Sequence, residues 1–108
     1  MKLLKIEKSS NKLKKFTAIF LTEEGKEKKV SFGQNSARDY TLINDKNSEF
    51  YLPKKIDRES VKTAYRRRHE KDLKTNDPMK AGYLSYYLLW NLPTLEKSIK
   101  DYKKRFKL

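Results

Sequence analysis

Apolar residues in this chain gather in one run and otherwise recur at strand or helix spacing. From Pro78 to Leu95 the sequence reads P-M-K-A-G-Y-L-S-Y-Y-L-L-W-N-L-P-T-L, and this stretch holds the single Trp, Trp90. Any packed core has to be built against it. Upstream, apolar and polar residues alternate with period two, which predicts strands. Leu4 and Ile6 alternate with Lys5 and Glu7, and Ser9-Ser10-Asn11 supplies turn residues. Between Leu13 and Thr22, Phe16, Ala18 and Phe20 point to one face while Thr17, Ile19 and Leu21 point to the other. Apolar residues on both faces are the mark of a central strand. Glu23-Glu24-Gly25-Lys26 reads as a hairpin connection, with Gly where a positive φ is tolerated. Lys29-Val30-Ser31-Phe32 then alternates again. The pattern predicts a three-stranded antiparallel meander over residues 1–32.

Residues 33–56 show no period and read as an irregular loop. Its aromatics, Tyr40, Phe50 and Tyr51, are candidates for pinning the loop to the core or to a partner. Period-four spacing then returns. Asp57 is placed to cap a helix running to about Leu73, with Val61, Tyr65, His69 and Leu73 on one narrow stripe. Successive residues turn by about 100°, so Arg66, Arg67 and Arg68 fan around this helix. Arg66 and Arg67 are expected outward, and Arg68 near the stripe. Asp77-Pro78 is a strong start signal, with Asp77 as N-cap and Pro78 at the first helical position. The helix that follows, to Trp90, is apolar nearly all round, which predicts burial on several sides. Tyr86 points away from its neighbours and is the surface candidate. Asn91-Leu92-Pro93 ends the helix. A last helix aligns Leu95, Ile99, Tyr102 and Phe106 on one face and Lys97, Lys100, Lys104 and Lys107 on another. The fold class is α+β, one domain over residues 1–108, with about three helices in its 57–107 part. The expected core takes in Phe16, Phe20, Phe32, Tyr65, Tyr83, Leu88, Trp90, Leu95, Ile99 and Phe106.

Charge changes the picture most. Lys and Arg number 27 against 14 Asp plus Glu, a formal net charge of +13 on 108 residues. Such a field attracts polyanions and works against compaction, so nucleic acid, an acidic protein surface and an anionic membrane are the candidate partners. An aromatic content of 12% argues for folding all the same, because disordered chains are poor in aromatics. Cysteine is absent, which removes disulfides and thiolate chemistry. Pro78–Leu95 falls short of the roughly 20 apolar residues that span a bilayer, and Met1–Ile6 is too short for a signal peptide. The expectation is a protein that is not secreted and has little affinity for membranes.

Little in the sequence speaks for catalysis. The chain has one His, no Gly-rich phosphate loop and no metal-ligand spacing. His69 on its stripe reads as a partly buried structural histidine. No enzyme activity, cofactor, metal or small-molecule substrate is expected. The cations carry the functional signal. Guanidinium groups in the Tyr65–Lys71 run suit bidentate phosphate contact, and the terminal Lys ridge supplies point charges. Arg66, Arg67, Lys97, Lys100, Lys104 and Lys107 are the candidate phosphate contacts. No base-reading module is recognisable, so binding to DNA or RNA would run through the backbone. Neutralising about six phosphates would give a log–log salt slope near −5.

Ser31-Phe32-Gly33, Asp39-Tyr40-Thr41 and Arg67-Arg68-His69 carry a family resemblance. So, most of all, does Ala81-Gly82-Tyr83-x-Ser85-x-x-Leu88-Leu89-Trp90-Asn91-x-Pro93-Thr94, followed by Ser98-Ile99. On these blocks the chain resembles a small family of proteins of unknown activity from large nucleocytoplasmic DNA viruses, the mimivirus and chlorovirus relatives. Leu84, Tyr86, Tyr87 and Leu92 depart from that pattern, and residues 46–60 look like an insertion. The resemblance implies a viral origin, with the virion or the viral factory in host cytoplasm or nucleus as the setting. Two roles are then open: a genome-associated nucleic-acid-binding protein, or a virion structural protein, such as a minor capsid or assembly component, docking on an acidic protein surface.

Overall fold

The computed structural model describes residues 1–108. Strands β1 (Lys2–Lys8), β2 (Lys14–Leu21) and β3 (Glu27–Gln34) form an antiparallel sheet in the order β1-β2-β3. The expected meander is present, and β3 runs two residues beyond Phe32. Its second connection is fixed by Thr22 and Lys26, whose backbones pair at 2.8 Å, and by Gly25 at φ +80°. Register sets the two faces. Leu3 pairs with Phe20, Ala18 lies between Ile6 and Val30, and Phe16 pairs with Phe32. These residues line the covered face. A bulge at Leu4 shifts the register and turns Leu4 out to solvent at 42% exposure. On the opposite face Ile19 sits between Lys5 and Lys29. The aliphatic stems of lysines can shield such a residue while their ammonium groups stay in water.

The helical part covers the first face. One hydrophobic cluster joins Leu3, Ala18, Phe20 and Phe32 of the sheet to Tyr40, Ile43, Leu84, Leu88, Leu89, Trp90 and Tyr102. Phe16, Tyr65, Leu95, Ile99 and Phe106 are partly buried and pack against it, while Tyr83 is buried at 7% exposure. Of the expected core residues, Phe20, Phe32, Leu88 and Trp90 belong to the cluster, and the others lie beside it or pack on it partly buried.

Several details differ from the expectation. Residues 33–56 contain a short helix, α1 (Tyr40–Ile43), because Asp39 accepts from Leu42 N–H and closes its first turn. The rest of that stretch is tied down too: Leu52 N–H donates to Ile43 O, and Arg58 Nη1 to Leu52 O at 2.7 Å. Helix α2 spans Lys55–His69, starting two residues before Asp57, which lies in its first turn rather than at the cap. The chain then tightens into a 3-10 segment, Glu70–Thr75, stopped by Asn76 in the left-handed region. Asn tolerates that conformation better than most residues.

The apolar helix also starts later than Pro78. Asp77 accepts from Met79 N–H in a turn, and α3 covers Ala81–Leu84. It continues directly as a π turn over Ser85–Leu89. Helix α4 (Leu95–Phe106) is capped by Thr94, which accepts from Lys97 N–H. Tyr102 donates to Pro78 O and Tyr83 to Leu73 O at 2.7 Å. Through them α4 and α3 hold the 73–78 connection. No helix is long and apolar enough to cross a membrane.

Candidate nucleic-acid interface

Few of the cations have partners. Only three of the 27 Lys and Arg residues, Lys5, Lys15 and Arg105, form ion pairs with a carboxylate. Lys15 is a structural exception, with its ammonium 2.6 Å from Asp39 Oδ2 and 2.5 Å from Ala37 O, both side chains nearly enclosed. It ties β2 to the cap of α1. The remaining exposed cations keep their fields directed at solvent.

They group in two places. At the end of α2, Arg67, Arg68, Lys71 and Lys74 line a groove with Glu70, Leu73 and Asn76. Glu70 is its single acid. The switch from α to 3-10 geometry contributes, because the tighter turn brings residues three apart into line, which aligns Lys71 and Lys74 within Glu70–Thr75. The second group is the ridge of α4, where Lys97, Lys100 and Lys104 are exposed. Lys107 is exposed as well, but it lies past the helix at φ +54° as its C-cap.

Arg66 does not belong with them. The expectation had it outward; its Nη1 donates to Trp90 O at 2.7 Å and its guanidinium lies 4.1 Å from the centroid of Tyr86. The reason is the unfilled carbonyl where the π turn ends. With the helix broken at Trp90, that oxygen needs a donor, and α2 passes close enough to supply one. Lys62 does the same one turn earlier, donating to Asn91 O at 2.5 Å. Burial, and then the neighbouring Arg66, lower its pKa. Arg68 is exposed where the expectation placed it near the stripe.

The aromatic candidates for an interface turn mostly inward. Tyr86 is 8% exposed and stacks edge-on with Tyr87 under Arg66; the π turn rotates it in. Tyr40 is buried, with its hydroxyl donating to Glu59 Oε2 at 2.9 Å. Burial first, and then Glu59, raise its pKa. Phe50 packs against the core. Tyr51 alone of the four is half-exposed without joining the cluster.

A second depression lies on the other side of the 3-10 segment. This cleft of about 310 Å³ runs between the start of β2, the end of β3 and α3, and His69, Asp72 and Tyr65 face into it. Three rings form a column along its wall: Trp90 stacks on Tyr65 at 4.3 Å, and Tyr65 on His69 at 4.1 Å. Burial, and next Asp72, push the Tyr65 hydroxyl up to about 12. His69 Nδ1 lies 3.1 Å from Asp72 Oδ2. Gly82 lets α3 approach this segment, since a Cβ there would lie 2.9 Å from the Asp72 Cβ. The stripe Val61-Tyr65-His69-Leu73 hinted at this column; its Trp90 end was not visible as a partner.

A family model described as "Family of unknown function (DUF5754)" matches residues 4–49, the sheet through α1 and the turn after it. No curated protein matches the chain, and no solved structure does.

Proposed function

We propose that this chain is a small, non-enzymatic, basic protein that binds nucleic acid through backbone phosphates. The observation that carries the reading is the groove of Arg67, Arg68, Lys71 and Lys74, four exposed cations without carboxylate partners beside one acid. Guanidinium groups suit bidentate phosphate contact, and the α4 ridge of Lys97, Lys100 and Lys104 adds a second set of charges. The resemblance to proteins of large DNA viruses supports a genome-associated or packaging role as its setting. Docking on an acidic virion protein draws less support, because Tyr40, Phe50 and Tyr86, which would have served it, are packed inward.

The test is fluorescence anisotropy with labelled DNA and RNA across a salt series. Binding should weaken steeply with salt, and each phosphate contact should add roughly 0.7 to 0.9 to the log–log slope. A purified chain that ignores both nucleic acids at low salt would sink the reading.

A further inference from the structure

His69 ends the aromatic column on the cleft. Its ring has one face on Tyr65, its Nδ1 is held by Asp72, and 39% of its side chain remains exposed. Trp90, the inner end, is 6% exposed, so the stack is anchored in the core. The column is rigid at one end and open at the other.

The cleft holds two carboxylates, Asp39, which is paired with Lys15, and Asp72, which is held by His69, beside two cations that have no carboxylate partner. These two, Lys14 and Arg38, are both exposed. On the far side of the same 3-10 segment runs the groove of Arg67, Arg68, Lys71 and Lys74. A ring platform is therefore flanked on two sides by free cations. At about 310 Å³ the cleft sits at the lower end of the roughly 300–1,000 Å³ of small-ligand pockets, a scale suited to a single flat ring system.

We propose that His69 is a stacking platform for one unpaired nucleobase, and that the preferred ligand is single-stranded nucleic acid. This rests on the phosphate-binding reading and narrows it. Bases in a duplex have both faces covered by their neighbours, whereas an unpaired base has a face free to extend a column of stacked rings. The flanking phosphates then fall towards Arg38 and Lys14 at the cleft and towards Arg67 and Arg68 in the neighbouring groove. Stacking of this kind tolerates any base, because each has a π-face, in keeping with a chain that carries no base-reading module.

The experiment compares a short thymidine single strand carrying one 2-aminopurine with a duplex of the same length, at fixed salt. Binding to the full chain should quench the 2-aminopurine. His69→Ala should weaken single-strand binding by about 5- to 100-fold, with His69→Phe restoring most of it and duplex binding unchanged in both. Circular dichroism and thermal unfolding establish that each variant is folded. Single-strand affinity that is the same in folded His69→Ala, or fluorescence that is not quenched on binding, overturns the platform while salt-dependent binding to either probe keeps the phosphate reading. Failure of both probes to bind at low salt overturns the two together.

Discussion

Arg66 clamps the carbonyl oxygen of Trp90 at 2.7 Å with its Nη1, from a helix that reaches across 24 positions of sequence. The same guanidinium covers the Tyr86 ring. A residue inside a run of three arginines is thus a brace between α2 and the end of the π turn, and its neighbours carry the outward charge.

Separating those roles gives the first prediction. Arg66→Ala removes a charge-assisted hydrogen bond and a cation–π contact and strands a carbonyl, at a cost of about 2–4 kcal/mol. Arg67→Ala should change stability by less than about 0.5 kcal/mol and lower the salt slope of nucleic-acid binding by about 1. Urea denaturation and salt titration of the two variants side by side check this; a stable Arg66→Ala would contradict the brace.

The groove makes a collective prediction. Replacing Arg67, Arg68, Lys71 and Lys74 together by Ala should reduce the slope by about 3 to 4 if each meets a phosphate. Stability should hardly move, since none of the four is bonded to the rest of the chain. Replacement of Lys97, Lys100 and Lys104 measures the share of the α4 ridge by the same titration.

Lys15 and Asp39 form an ion pair of another kind. With side-chain exposures of 11% and 3%, the two depend on each other. Lys15→Ala leaves a buried carboxylate unpaired and should cost about 3–5 kcal/mol. Asp39 also caps α1, so the amide of Leu42 should lose protection from hydrogen exchange in the variant.

Two glycines with nearly equal φ should respond unequally to Ala. Gly25, at +80°, has open space where a Cβ would go, while at Gly33, at +78°, a Cβ would lie 2.8 Å from Leu89 Cδ1. Gly25→Ala should cost about 1 kcal/mol for the backbone alone. Gly33→Ala adds the displacement of a core leucine, which raises the cost to roughly 2–4 kcal/mol. Chemical denaturation midpoints rank them.

Alkaline pH supplies the fifth prediction. The Tyr65 hydroxyl rises from 10.0 to about 12, chiefly through burial. The folded chain therefore holds this proton more tightly than the unfolded one. The contribution is full below pH 10 and is lost as the pH climbs through 12. Tyr102 is raised as well, again chiefly by burial, and works in the same direction. Ellipticity and tyrosinate absorbance followed together should show late-ionising tyrosines that titrate as structure is lost. Tyr65→Phe should shift the transition to higher pH.

The meander and α4 were legible because each obeys one period: Phe16, Ala18 and Phe20 alternate, and Leu95, Ile99, Tyr102 and Phe106 repeat at helical spacing. The cap of α1 was legible in principle, since Asp39 precedes Tyr40 and Leu42 in the manner of an N-cap, but a four-residue helix leaves no period to see. The segment from His69 to Trp90 defeated the pattern for a physical reason. A 3-10 stretch and a π turn rotate residues by angles other than 100°, and Tyr86, inside the π turn, goes in against the helical wheel. The unpaired carbonyl of Trp90 is a product of that geometry, and with it the inward turn of Arg66. What the charge balance announced was the abundance of cations. Their sorting into brace, groove and ridge needed the fold.

A π turn spends one residue more per turn than an α-helix, and here that surplus lies in Ser85–Leu89. Taking out any one of those five would swing Trp90 and Asn91 by about 100°, away from Arg66 and Lys62 and from the ring of Tyr65. The run acts as an alignment key whose length is fixed. Changes in chain length should be borne instead by the hairpin around Gly25 and by the loop after Ile43, where an added residue disturbs no phase between distant elements.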